Sequence, residues 1–269
     1  MRHHDLGKMV GPVVLFGGPY SNLQATRAVL EVAQARGAVP ICTGDVVAYC
    51  GRPQETIAAI RDAGCAVVAG NCELQLARGA LDCGCGFEDG SACDLLSVAW
   101  YAYASARVQE ADRAWMADMP DILSFEHGGR RYAVLHGALS DVARFLWSTS
   151  PASEFETEWD LVEQAIGPVT CIVAGHSGIP FVRHLSRGDW INAGVVGMPP
   201  HDGTARTRYA VLEDGQVSLH ALDYDVDAAV ADMQAAGLIH GYDKALKTGY
   251  WPSEDVLPSE LRVSSRASG

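Results

Sequence analysis

The sequence predicts an α/β fold of two packed mixed sheets flanked by helices. Three observations predict it. Short, continuously apolar runs recur along the chain, as expected for strands buried on both faces. In the first half these runs alternate with amphipathic segments of helical period. In the second half strands follow one another across short turns, so two sheet layers with outer helices account for the whole pattern.

Taken in order, Val13 to Phe16 forms the first strand and Gly17-Gly18-Pro19 the turn above it. Ser21 is placed to cap the next helix, whose apolar stripe contains Leu23, Ala25, Ala28, Val29 and Val32. A second strand, Val39 to Cys42, leads out to Asp45. Pro53 then marks a helix start, with Ile57, Ile60 and Ala63 on one face. The third strand, 66–69, leads to Asn71; a Cys/Gly-rich insertion follows at 79–94 and a helical stretch at about 95–116. Segments 121–126 and 130–135 form a hairpin across His127-Gly128-Gly129. Ser153 and Glu156 have capping-box spacing, which gives a helix over 154–166. Strands follow near Cys171, Phe181, Asp189, Thr207 and Val217, then a short alanine-rich helix over 228–236. Residues 253–269 read as a polar tail that frays at its end, and 1–269 as one domain.

Four strands end in a residue able to hold a metal. The motifs are Thr43-Gly44-Asp45, Ala69-Gly70-Asn71-Cys72-Glu73, Leu135-His136-Gly137 and Ala174-Gly175-His176-Ser177-Gly178. Ligands of open α/β sheets gather beyond the carboxyl ends of the strands, so a carboxylate, an amide and two imidazoles could share one crevice. That donor set suits a divalent transition metal rather than calcium. Each residue also has a plainer use, since Asp45 and Asn71 suit turns and a histidine after an apolar run is often a hydrogen-bonded core residue. Their recurrence at successive strand ends favours ligation. His127, His184, His201, His220 and His240 lie in turns or polar stretches and read as surface or structural residues, although the loop before His201 could approach the crevice.

The insertion places Cys83, Cys85 and Cys93 within eleven residues. With Cys72 as a fourth ligand they could wrap a structural zinc; a reactive thiol loop, or a loop with one reversible disulfide, are the alternatives. Cys50 can face the same crevice, whereas Cys42, Cys65 and Cys171 read as small core residues. Gly17-Gly18 with Ser21-Asn22 at a helix start can also be read as an anion cradle.

The order of these motifs resembles the calcineurin-like metallophosphoesterases, whose members carry D-x-H, G-D, G-N-H-D/E, a lone H and G-H-x-H at successive strand ends. The resemblance runs from about Val13 to about Asp225. Asn22-Leu23-Gln24-Ala25 is similar to the family's N-L-x-A, Gly44 to Tyr49 to its G-D-x-x-x-Y, and Ile191 to Gly197 to its I-N-P-G-S-x-G. It implies a four-layer α/β/β/α sandwich of two mixed sheets. It also implies a metal-dependent hydrolase acting on a phosphate monoester or diester, with a small phosphorylated substrate.

The departures from the family pattern are specific. Gly18-Pro19-Tyr20 stands where the family has D-x-H, and Gly178 where G-H-x-H has its second histidine. In the family those three positions hold the first metal, so that site is dismantled here. The other metal's ligands, Asp45, Asn71, His136 and His176, survive, which implies one active-site ion of manganese, iron or zinc. Cys72 replaces the family's acid histidine; with Glu73 it is the candidate proton donor or an added ligand. Tyr20 and Asn22 are the candidate substrate-binding residues, Tyr20 by hydrogen-bonding the phosphoryl group. Two other readings stay open: a binding or scaffold protein that kept only the fold, and a thiol-metal enzyme with non-phosphoryl chemistry.

A net charge of −13 argues against a broad nucleic-acid or anionic-membrane surface, while a bound cation would still attract a small phosphorylated ligand. No stretch approaches the roughly 20 apolar residues of a membrane span, and a cytoplasmic location is expected.

Overall fold

A computed structural model describes residues 1–263. The strands are β1 (His3–Lys8), β2 (Val13–Phe16), β3 (Val39–Cys42), β4 (Ala66–Val67), β5 (Ile122–His127), β6 (Arg130–Val134), β7 (Cys171–Ala174), β8 (Phe181–His184), β9 (Asp189–Asn192), β10 (Thr207–Glu213) and β11 (Gln216–Leu222). The helices are α1 (Leu23–Arg36), α2 (Pro53–Asp62), α3 (Asn71–Arg78), α4 (Ala92–Ser105), α5 (Glu110–Asp118), α6 (Ala152–Ile166), α7 (Val226–Ala235) and α8 (Tyr242–Thr248). One sheet runs β11-β10-β2-β3-β4, with β2, β3 and β4 parallel. The other runs β1-β5-β6-β7-β9-β8, with β6, β7 and β9 parallel.

The inner faces of the two sheets make one core from Leu15, Ile41, Phe125, Tyr132 and Val173. Phe125 and Tyr132 stack across the β5–β6 pair with centroids 4.9 Å apart. On the outer side of the first sheet, Val29 of α1 and Ile57 and Ile60 of α2 are buried. On the outer side of the second, Phe155 and Trp159 of α6 pack with Trp190. Burying each such side chain contributes roughly 1.5–3 kcal/mol, so both outer layers are held by a few large residues. The result is the expected four-layer α/β/β/α sandwich of two mixed sheets.

The structure differs from the sequence reading at several ends. A polar strand, β1, precedes the first expected one and pairs in parallel with β5. Asn22 rather than Ser21 caps α1: its Oδ1 accepts the Ala25 N–H at 3.1 Å, whereas Ser21 sits one residue too early in left-handed backbone. The stretch at 95–116 is two helices, and Arg113 of α5 donates to the Ser105 carbonyl at the end of α4. Helix α6 opens behind Pro151, without a side-chain cap. Helix α8 was not foreseen, and the expected tail is docked in its first part, with Leu257 buried. The expected fraying at the end of that tail falls on 264–269, outside the described residues.

Candidate metal centre

Strands β2, β3 and β4 of one sheet and β6 and β7 of the other end at a common rim, where the two layers come close together. Gly44 permits that closeness: its φ is 95°, and a Cβ there would lie 2.9 Å from Nδ1 of His136. Just beyond the strands, Asp45 (φ 55°) and His176 (φ 58°) adopt left-handed backbone. Such conformations are costly without glycine and cluster where a side chain must be aimed.

His136 is the hub. Its buried Nδ1 lies 2.5 Å from the Thr43 carbonyl oxygen, an atom that only accepts. The ring proton therefore sits on Nδ1, and Nε2 presents a lone pair. Facing that lone pair are Asn71 Oδ1 at 3.1 Å, His176 Nδ1 at 3.1 Å and Asp45 Oδ2 at 3.4 Å. The Asn71 amide is oriented from behind, where its Nδ2 donates to the Cys83 carbonyl at 2.9 Å, so Oδ1 turns inward.

These groups fit a cation. A lone pair, a carboxylate and an amide oxygen cannot satisfy one another without a positive centre or several added protons. Two ligands about 2.1 Å from one ion, at angles of roughly 90–110°, stand about 3.0–3.4 Å apart, which matches the observed spacings. Among the described residues, the ligand atoms of Asp45, His136 and His176 all lie within 4.8 Å of one another. The oxygen and nitrogen donors suit a divalent transition metal.

Electrostatics agree with the geometry. Burial pushes the Asp45 carboxyl up, but the two imidazoles and the Cys72 N–H outweigh it and hold it below the usual carboxylate range. Burial pulls His136 down, but Asp45 and the Thr43 carbonyl outweigh that and leave it above the ordinary histidine value. His176 is held down to about 3 by burial and by His136.

The neighbouring positions are filled by aromatic rings. A Cβ at Gly18 would lie 2.4 Å from Cζ of Tyr20. A Cβ at Gly178 would lie 3.4 Å from Cζ2 of Trp251. Both positions thus lack a metal-binding side chain; at Gly18 a ring stands where one would begin, and at Gly178 the indole lies in contact range of it.

Glu73 and Cys72 do not line the cleft above Asp45 and His176. Glu73 is buried, and its Oε2 accepts the N–H groups of Asp45 at 2.7 Å and Gly70 at 2.9 Å. Its Oε1 accepts that of Val46 at 2.8 Å. Both oxygens are thus occupied in clamping two site loops together, and burial, with Asp45, raises the carboxyl to about 7. The Cys72 N–H donates to Asp45 Oδ1 at 3.2 Å, while burial and Asp45 hold its thiol well above the ordinary value. Asn22 also stays out of the cleft, tying α1 to the Gly197 carbonyl through Nδ2 at 3.1 Å. Tyr20 does line it.

For nearby segments the structure selects among the open readings: the anion cradle is not formed, and the cysteine loop takes its disulfide alternative. The turn at Gly17-Gly18 is no anion cradle, because the N–H groups of Gly17, Gly18, Tyr20, Ser21 and Asn22 all donate to backbone carbonyls. The cysteine loop does not gather its thiols for zinc: Gly84 bends the chain so that Cys83 and Cys85 join in a disulfide, and Cys93 stands apart at the start of α4.

Sequence reasoning missed Phe145 and Trp251, which line the cleft. Trp251 is brought there by His201, read earlier as a surface or structural histidine but buried in the structure. His201 Nδ1 accepts the Trp251 N–H at 2.8 Å, and its Nε2 donates to Glu254 at 2.7 Å. The signal was present: Trp251, Val256 and Leu257 interrupt an otherwise polar end.

A family model described as calcineurin-like phosphoesterase superfamily domain matches residues 15–215. The chain is 26% identical over 231 residues to an uncharacterized protein of Methanocaldococcus jannaschii, covering 78% of this chain and 86% of that one. Its fold is similar to a crystal structure of a metallophosphoesterase from Sphaerobacter thermophilus, with TM-score 0.68, 20% identity, and 90% and 100% of the two chains covered. It is also similar to a hypothetical protein from Pyrococcus horikoshii, with TM-score 0.71, 17% identity, and 88% and 98% covered. Among the described residues no helix is long and apolar enough to cross a membrane.

Proposed function

We propose that this chain, which belongs to the calcineurin-like phosphoesterase superfamily, hydrolyses the phosphate ester of a small molecule with a single divalent ion held by Asp45, Asn71, His136 and His176. The observation that carries this reading is the convergence of Asn71 Oδ1, His176 Nδ1 and Asp45 Oδ2 on the lone pair of His136. When bound, the ion supplies a Lewis acid that polarises a phosphoryl oxygen and lowers the pKa of water. The protein's own share is alignment. Thr43 fixes the tautomer of His136, Cys83 fixes the Asn71 amide, and Glu73 fixes the loop that carries Asp45. Such supporting contacts set both the affinity and the orientation of a metal site.

The single-ion reading rests on Tyr20 and Trp251, whose rings occupy the ground beside Gly18 and Gly178. Tyr20 keeps its proton, because burial, reinforced by Asp45, raises the phenol well above its ordinary value. Its hydroxyl is thus a hydrogen-bond donor to a phosphoryl oxygen rather than an acid for the leaving group. With Cys72 and Glu73 out of the cleft, the leaving group departs without a side-chain acid, which favours esters of acidic alcohols and phenols.

The test is metal content together with turnover of bis(4-nitrophenyl) phosphate, for wild type and for Asp45→Ala/His176→Ala. One ion per chain and metal-dependent turnover, both lost in the variant, is the expected result. A wild type that binds no manganese, iron or zinc, or turns over no ester with any of them, overturns the proposal.

A further inference from the structure

The cleft above the metal-ligand cluster is a basin of about 610 Å³, including its open mouth. Its walls are unusual for a site that takes a phosphorylated molecule. Phe87, Phe145, Trp251, Tyr49 and Tyr242, all partly buried, line it, with Tyr20 buried at its floor. Among the described lining residues there is no lysine and no arginine, and the one charged carboxylate is Asp45, which belongs to the ion. Pockets lined mainly by apolar rings with few polar groups recognise a ligand chiefly by its apolar surface.

The rings are arranged rather than scattered. Phe145 packs on the imidazole of His176 with centroids 4.3 Å apart, so an aromatic wall begins at a metal ligand. Phe87 extends that wall, its ring nearly parallel to Phe145 at 6.4 Å. Trp251 lines the same cleft and packs against Gly178, with its indole N–H anchored on the Pro199 carbonyl at 2.7 Å. Tyr49 and Tyr242 also line it, with centroids 4.5 Å apart. A flat ring entering between these residues would find stacking partners, whereas a second phosphate would meet no counter-charge and a chain of net charge −13.

We infer that the substrate is a phosphoester whose organic group is a flat, uncharged ring, and that it carries no phosphate besides the one held at the ion. This inference rests on the phosphoesterase reading above and names the ester that this site takes. The shared chemistry is the ring face; an aryl group and a nucleobase both supply it, and the polar poverty of the walls favours the aryl group.

The test fixes the leaving group as 4-nitrophenolate and varies the second ester group of the diester among methyl, 1-naphthyl, adenosine and adenosine carrying an added phosphate. In the manganese-loaded protein, kcat/KM is expected to rise about tenfold or more from methyl to naphthyl, as single-ring stacking allows. It is expected to fall again when the extra phosphate is present. Phe145→Ala, and separately Phe87→Ala in case the first variant folds poorly, should bring the naphthyl and methyl esters close together. Binding is read independently by the quenching of tryptophan fluorescence with 1-naphthylphosphonate and methylphosphonate. Equal constants and equal binding for naphthyl and methyl would overturn the inference, as would a preference for the polyphosphorylated ester. If no ester is turned over while naphthylphosphonate still binds far tighter than methylphosphonate, the hydrolase reading fails and the aromatic site stands. A preference for adenosine over naphthyl would assign the ring to a nucleobase.

Discussion

Glu73 holds Asp45 by its backbone: Oε2 of the one accepts the N–H of the other at 2.7 Å, while the same oxygen takes the N–H of Gly70 at 2.9 Å. A carboxylate is needed because three donors face its two oxygens, counting the Val46 N–H. Glu73→Gln turns an –NH2 group toward at least one of those donors. The expected cost is about 1–3 kcal/mol of stability from the unpaired buried N–H, read by urea denaturation. Metal affinity should weaken by about 10–100-fold, as supporting contacts of metal sites generally show, and a variant that binds metal normally would refute the clamp.

Metal affinity should weaken as the pH is lowered. His136 stands above the ordinary histidine value in the free site, so below that value an ion must displace its proton. His176, held down to about 3, carries no proton to displace in the neutral range. The sign is therefore fixed: binding tightens as pH rises through the His136 titration and releases protons in doing so. Calorimetry of manganese binding in two buffers of different ionisation enthalpy measures that release, and a result with none would contradict the assignment.

The contact between Gly18 and Tyr20 yields a coupling measurement. Gly18→Ala alone puts a Cβ 2.4 Å from the phenol carbon in backbone of φ 42°, and should cost about 2–4 kcal/mol from overpacking and left-handed strain together. Adding Tyr20→Ala should recover the overpacking part, leaving only the backbone part. Strict additivity in chemical denaturation would show that the ring can yield, and that the space beside the ion is open.

Turnover should depend steeply on the leaving group. Cys72 and Glu73 are not among the residues that line the cleft, so in the proposed reaction neither protonates a departing alkoxide. Across aryl phosphodiesters of rising phenol pKa, kcat should drop continuously, and Cys72→Ala should leave that slope unchanged. A shallow slope that steepens in Cys72→Ala would restore the thiol as the acid.

The strap that carries Trp251 can be loosened at a distance. His201→Ala removes both the acceptor for the Trp251 N–H and the donor to Glu254, so the strap should lose about 1–3 kcal/mol of local stability. Faster hydrogen exchange confined to the chain after Thr248, with the strands unaffected, is the expected pattern.

The candidate metal ligands were legible because buried strands write themselves as unbroken apolar runs, and the residue that follows such a run stands at the rim. Asp45, Asn71, His136 and His176 were found in that way, and the structure brings all four together. The roles of Cys72 and Glu73 were not legible, since Glu73 lies one residue beyond its motif neighbour yet points from a helix toward backbone donors. Helical phase decided between cleft and clamp, and α3 was not foreseen. The thiol pairing in 79–94 depended on where Gly84 bends the loop, and the aromatic wall on rings far apart in the chain, Phe87, Phe145 and Trp251. Neither spacing nor composition carries that information.

Strand β1 bears on how the molecule is assembled. It is first along the chain, mostly exposed and rich in polar residues, and it sits at the edge of its sheet beside β5, which begins at Ile122. During synthesis it must wait, unpaired, until that hairpin has emerged and closed, which makes its docking a late, long-range step. Its histidines, aspartate and lysine keep it from sticking to other chains meanwhile, so the same polarity that hid this strand from a hydrophobic reading protects the nascent protein.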